Sequence, residues 1–189
     1  MAVTGILGGA FDPPHNGHVA LAQAAFGQFG LERLLVTVVA EPGHRDVAAP
    51  ADARLELARR AFEALPSTSI ELDKHARTVD ALEERRPDDA IFLVGADELA
   101  SFLDWKEPDR ILELVRLGVA ARPGYPRDRL SRVLAQLRRP ERVELFELQP
   151  LPISSSAIRA RAARGEPIAD VVPAAVAAEI ERRGLYRED

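Results

Sequence analysis

The chain contains no cysteine, no excess of positive charge, no low-complexity linker and no internal repeat. Without cysteine, neither disulfides nor thiolate metal sites can hold the fold, which fits a reducing compartment and equally a thermally selected sequence. A long hydrophobic run is missing too. The apolar segment Met1 to Gly8 ends in glycines, far short of the roughly 20 residues of a membrane span, and it carries no basic leader. The chain is therefore expected to be cytoplasmic, with no membrane partner. A formal net charge of -5 argues against a broad nucleic-acid surface, because proteins that track phosphates carry a clustered basic excess. Any anionic ligand must be met by local groups.

What is present is an ordinary globular composition, 47% apolar and 29% charged, over 189 residues. That length makes one domain spanning 1–189 the default, with enough chain for a core and one substantial cleft. Apolar runs of strand length alternate with longer charged stretches of helical period. Strands are expected at Val3 to Leu7, Leu34 to Val39, Ile91 to Val94 and Leu117 to Ala121, with weaker ones at Ser69 to Leu72 and Val143 to Phe146. Helices are expected at His18 to Phe29, Pro50 to Ala64, Thr78 to Arg86 and Pro108 to Val115, with their charges on the face away from the apolar stripe. Two further helices, Ser155 to Arg164 and Pro173 to Arg183, form a C-terminal helical extension, the second ending at a capping Gly184. The alternation predicts an α/β fold, a Rossmann-like doubly wound parallel sheet. In such a sheet ligands bind beyond the carboxyl ends of the strands.

After the first strand comes Gly8-Gly9-Ala10-Phe11-Asp12-Pro13-Pro14-His15-Asn16-Gly17-His18. Glycines let a backbone approach a phosphate closely, and the free amides of a helix start attract anions. His15 and His18, three apart, share a face from which both can donate to phosphate oxygens. Neither the Walker spacing nor the dinucleotide fingerprint is present. A turn with packing histidines is the plainer explanation of each part alone, and a zinc site lacks a third ligand. Far downstream, Ile153-Ser154-Ser155-Ser156-Ala157-Ile158-Arg159 offers serines able to cap a helix and to present hydroxyls to an anion, with Arg159 one turn on.

Together the two segments resemble the signatures of the nicotinate mononucleotide adenylyltransferase branch of the HxGH nucleotidylyltransferase superfamily. The first matches that signature at every fixed position, and the second has Ser156 where threonine is usual. The resemblance extends through Gly95-Ala96-Asp97, Asp104-Trp105-Lys106 and Arg122-Pro123-Gly124-Tyr125 to the ending Gly184-Leu185-Tyr186. It implies adenylyl transfer from ATP, with Mg2+ carried on the nucleotide, to nicotinate mononucleotide in NAD biosynthesis. It implies catalytic roles for His15, His18 and Arg159, and ATP-binding roles for Gly8, Gly9, Ala10, Phe11, Gly17, Gly95, Asp97, Ser154, Ser155 and Ser156. Acceptor roles fall to Arg45, Thr78, Trp105 and Arg122. It assigns no protein residue as a metal ligand, and it allows a homo-oligomer.

Two segments depart from the family pattern, and both concern the acceptor. Pro42-Gly43-His44-Arg45 stands where Pro-Pro-His-Lys is usual, and Ala76-Arg77-Thr78-Val79-Asp80-Ala81-Leu82 lacks the usual serine and tyrosine. Arg77 is either extra charge for the acceptor or a solvated helix-start residue, and His75 is expected at the surface. Nicotinamide mononucleotide, phosphopantetheine and a non-catalytic nucleotide-binding regulator are the alternatives.

Overall fold

A computed structural model describes residues 3–43, 47–121, 123, 125–149 and 151–187. Its centre is a six-stranded sheet in the order β3-β2-β1-β4-β5-β6, with every pairing parallel. The strands are β1 (Thr4–Gly9), β2 (Arg33–Val39), β3 (Thr68–Asp73), β4 (Ala90–Gly95), β5 (Arg116–Ala121) and β6 (Val143–Glu147). The sequence placed all six, to within a residue or two at each end.

The inner strands are apolar throughout because both faces of the sheet are covered. On β4, Ile91 and Leu93 pack into one core while Phe92 and Val94 pack into the other. On β1 the neighbours Leu7 and Ile6 divide in the same way. Helices α1 (Asn16–Phe29), α2 (Ala51–Phe62) and α8 (Ala174–Arg183) cover the first face. The second is covered by α3 (Thr78–Arg85), α4 (Ala96–Ala100), α5 (Pro108–Leu114) and α6 (Arg127–Leu134). Helix α7 (Ser155–Ala163) packs through its buried Ile158 into the first core.

Three expectations need correction. Helix α1 begins at Asn16, not His18, because His15 takes the extended conformation of an N-cap and its carbonyl accepts from His18 and Val19 amides. Helices α4 and α6 were not expected: α4 has five residues, too few for a clear apolar period, and the charged α6 starts directly after Pro126. Finally, the charges of α2 do not all lie on its outer face. Arg54 is 1% exposed, and it shares the buried stripe with Leu57, Ala58 and Ala61.

The chain reverses direction across the sheet between β1 and its neighbour β4, which start opposite crossovers. Such a switch point opens a crevice at the carboxyl edge of the strands.

Candidate active site

At that edge lies a cleft of about 1570 Å³. It is lined by Gly8, Gly9, Ala10, Phe11, His15, Gly17 and His18 from β1 and the start of α1. Gly95 and Asp97 reach it from β4 and α4, and Ser154, Ser155, Ser156 and Arg159 from α7. Thr78 and Trp105 complete the set, so every described residue of the expected site faces this one space. Arg45 and Arg122, expected at the acceptor, lie outside the described residues.

The phosphate loop is tightly built. The rings of His15 and His18 stack at 3.8 Å between centroids, and Phe11 meets His18 edge-on at 5.1 Å. A Cβ at position 17 would stand 3.0 Å from Cε1 and Nδ1 of His15, so a glycine is needed for the ring to lie there. The His15 backbone amide donates to His18 Nδ1 at 3.1 Å. A ring nitrogen that accepts an amide proton is itself unprotonated, so neutral His18 carries its proton on Nε2, as a donor. His15 differs. Burial pushes its pKa down to about 4, making it neutral at physiological pH, and its buried Nδ1 has no hydrogen-bond partner among the described residues.

Helix α7 is fastened to this loop. Ser154 caps the helix by accepting from the Ala157 amide at 3.2 Å, and its Oγ lies 3.2 Å from that of Ser156. Ser155 Oγ donates to the Pro13 carbonyl at 2.9 Å, so its hydroxyl braces the loop rather than standing open to an anion. Arg159 Nη1 donates to the Asp12 carbonyl at 2.8 Å and lies 3.7 Å from Asp12 Oδ2.

Three further residues hold the loop from beneath, and the sequence reading did not single them out. Asp12, 3% exposed, accepts from the amides of Ala48 at 2.6 Å and Ala49 at 3.1 Å. Its Oδ1 also accepts from the Tyr186 hydroxyl at 2.7 Å. Beside them the Arg54 guanidinium donates to the carbonyls of Ala10, Val39, Ala40 and Ala49, at 2.6–3.0 Å. It thereby bridges the chain just beyond β1 to the end of β2. The available signal was the spacing: Arg54 stands three and four residues before Leu57 and Ala58.

The opposite end is looser. Trp105 is half-buried, edge-on to Phe92 at 6.2 Å and tilted against Phe102 at 5.3 Å. Next to it Lys106 pairs with Asp80 of α3 at 2.6 Å, which ties the tryptophan turn to the helix that Thr78 begins. Asp97 is exposed, and its Oδ1 accepts from the Tyr125 hydroxyl at 3.1 Å. Arg77, at the N-cap of α3, is exposed on the cleft wall. His75 is not a surface residue as expected: it lines the cleft, held between Asp73 at 2.8 Å and Glu84 at 3.0 Å. Among the described residues no group of three or more His, Asp or Glu side chains is gathered to hold a metal ion.

A cleft of stacked histidines, serine hydroxyls and an arginine, at the switch point of a Rossmann-like sheet, defines a nucleotide-handling α/β protein of the nucleotidyltransferase class. Residues 6–161 match the model of the cytidylyltransferase-like family. The chain is 38% identical to a probable nicotinate-nucleotide adenylyltransferase of Rubrobacter xylanophilus, over 98% of this chain and 92% of that one. It is likewise 38% identical to the Thermus thermophilus protein of the same description, over 97% and 98%. The chain thus belongs to the cytidylyltransferase-like family and, within it, to the nicotinate-nucleotide adenylyltransferase family. The nicotinic acid mononucleotide adenylyltransferase of Plasmodium falciparum, solved with NaAD, shares the fold at a TM-score of 0.78, with 17% identity over 98% of both chains.

Proposed function

We propose that this cleft transfers the adenylyl group of ATP to nicotinate mononucleotide, giving nicotinate adenine dinucleotide and pyrophosphate. The observation that carries the reading is the convergence of the two phosphate segments, residues 8–18 and 154–159, on one cleft that also holds Trp105. The near full-length kinship with proteins described as nicotinate-nucleotide adenylyltransferases supports it.

The acceptor's phosphate monoester, with a second pKa near 6, is largely a dianion at neutral pH. It needs no general base and no covalent enzyme intermediate. One of its oxygens attacks the α-phosphorus of ATP, the bond from that phosphorus to the bridging oxygen breaks, and pyrophosphate leaves with the electron pair. The protein's task is to align two mutually repelling phosphates and to spread the charge that develops.

His18 Nε2–H is the donor assigned to the α-phosphate, and His15 serves the neighbouring phosphates. In the free protein His15 is neutral, so it meets an incoming phosphate as a dipole rather than a full charge. Arg159 supplies the formal positive charge, on the β and γ side. The glycines and Ala10 allow close backbone approach, while Phe11 supports the His18 ring. Ser154 and Ser156 offer hydroxyls, and Gly95 and Asp97 are assigned to the ribose. Trp105 provides a stacking face for the pyridine ring, with Thr78, Arg45 and Arg122 around the acceptor. Mg2+ enters as part of the ATP substrate, where it screens phosphate charge. The cleft's own imidazole, hydroxyl and guanidinium donors suit phosphate oxygens rather than a metal.

Pyrophosphate release measured with ATP and, in turn, nicotinate mononucleotide, nicotinamide mononucleotide and phosphopantetheine tests the assignment. The expected result is fastest release with the nicotinate acceptor. Tight ATP binding without release on any acceptor would instead mark a nucleotide-binding regulator.

A further inference from the structure

Arg159 reaches the cleft from α7, and nothing within α7 fixes where its long side chain points. Its hydrogen bond and its ion pair both go to one residue, Asp12: the carbonyl at 2.8 Å and Oδ2 at 3.7 Å. Asp12 is in turn held from elsewhere. Its carboxylate takes the Ala48 and Ala49 amides on one side and the Tyr186 hydroxyl on the other. The Tyr186 contact spans 174 residues of sequence, and the ring approaches from beyond α8. Tyr186 has a φ of 65°, in the left-handed region, and Phe11 beside Asp12 has a φ of 50°. Non-glycine residues persist in that region only where their surroundings over-determine them. Two such residues therefore flank one part-buried hydrogen bond.

We propose that Tyr186 is a positioning residue for adenylyl transfer: through Asp12 it holds the Arg159 guanidinium against the phosphate loop. The inference rests on the reading of Arg159 as a phosphate-binding group. The 2.7 Å hydrogen bond from Tyr186 shares Asp12 Oδ1 with the Ala49 amide, while Oδ2 faces the Ala48 amide and Arg159. Without the hydroxyl, only the two backbone amides hold the carboxylate, which can then shift toward the guanidinium and draw it away from phosphate oxygens. Ala48 and Ala49 lie between β2 and α2, so the same carboxylate joins the phosphate loop to that connection.

The test is a double-mutant cycle of Tyr186→Phe and Arg159→Ala. Pyrophosphate release, ATP affinity by calorimetry and thermal midpoint are read for all four proteins. Tyr186→Phe should lower kcat about tenfold, with less than a threefold change in KM for ATP. In the Arg159→Ala background the same substitution should change kcat less than twofold, yet move the thermal midpoint as much as it does in the parent. A merely structural tyrosine would cost the same in both backgrounds, and that result, or an unaltered kcat in the single variant, overturns the proposal. If the parent protein turned over no acceptor, the functional reading would fail separately. The cycle would then be read in ATP affinity alone, where Tyr186→Phe should weaken binding only while Arg159 is present, and equal weakening in both backgrounds refutes the role.

Discussion

The two ends of the cleft are built differently. At the donor end the supporting groups are buried and satisfied many times over: Asp12 is 3% and Arg54 1% exposed, and between them they meet backbone from three segments. At the acceptor end the link is an exposed ion pair, Lys106 with Asp80, and a half-buried tryptophan. Exposed pairs contribute little, about 0–1 kcal/mol, whereas buried networks of hydrogen bonds fix one arrangement. The contrast suits the chemistry. Triphosphate is the same in every turnover and rewards a rigid cradle.

The largest expected effect that breaks this contrast is on stability. Arg54→Met keeps the stem but leaves buried carbonyls unpaired, and should cost about 3–5 kcal/mol. Urea unfolding should show it as a lowered midpoint with little change in slope. Next is His18→Ala, which removes a donor aimed at developing charge and should lower kcat about 10²–10³-fold while leaving the unfolding midpoint nearly unmoved. Retention of near-parental turnover would defeat the mechanism.

A third effect concerns pH. The folded state lowers the His15 pKa from 6.5 to about 4, so between those values the unfolded chain binds more protons than the folded one. Stability should therefore be full above pH 6.5 and fall as pH drops toward 4, by on the order of 2 kcal/mol once partial exposure is allowed for. His15→Gln should flatten that part of a denaturation-versus-pH curve, and an unchanged slope would reject the assignment. The smallest effect belongs to the acceptor end. Trp105→Ala should raise KM for the acceptor about tenfold, equivalent to ~1.4 kcal/mol of lost stacking, and leave KM for ATP alone.

This division also explains what could be read from the sequence. Strands such as β4 were legible because burial on both faces forces an unbroken apolar run, and residues 8–18 were legible because, together with residues 153–159, they resemble a family signature. Arg54, Asp12 and Tyr186 were not. Each is an ordinary polar residue locally, and its role arises when separate chain segments, up to 174 residues apart, meet. His75 was misplaced for the same reason: its position follows from Glu84, which α3 brings back toward the end of β3. Tertiary contact, not local propensity, decides such residues.

The burial of Arg54 has a kinetic consequence. A protein of net charge -5 repels a polyanionic nucleotide at long range, yet the guanidinium beneath the phosphate loop, partly offset by the Asp12 carboxylate, and the starts of α1 and α7 favour an anion at the cleft floor. Ions screen the distant repulsion within about 8–10 Å but reach the sheltered floor far less. Capture of the nucleotide is thus a short-range event, decided in the last few ångströms of approach rather than by steering from solution.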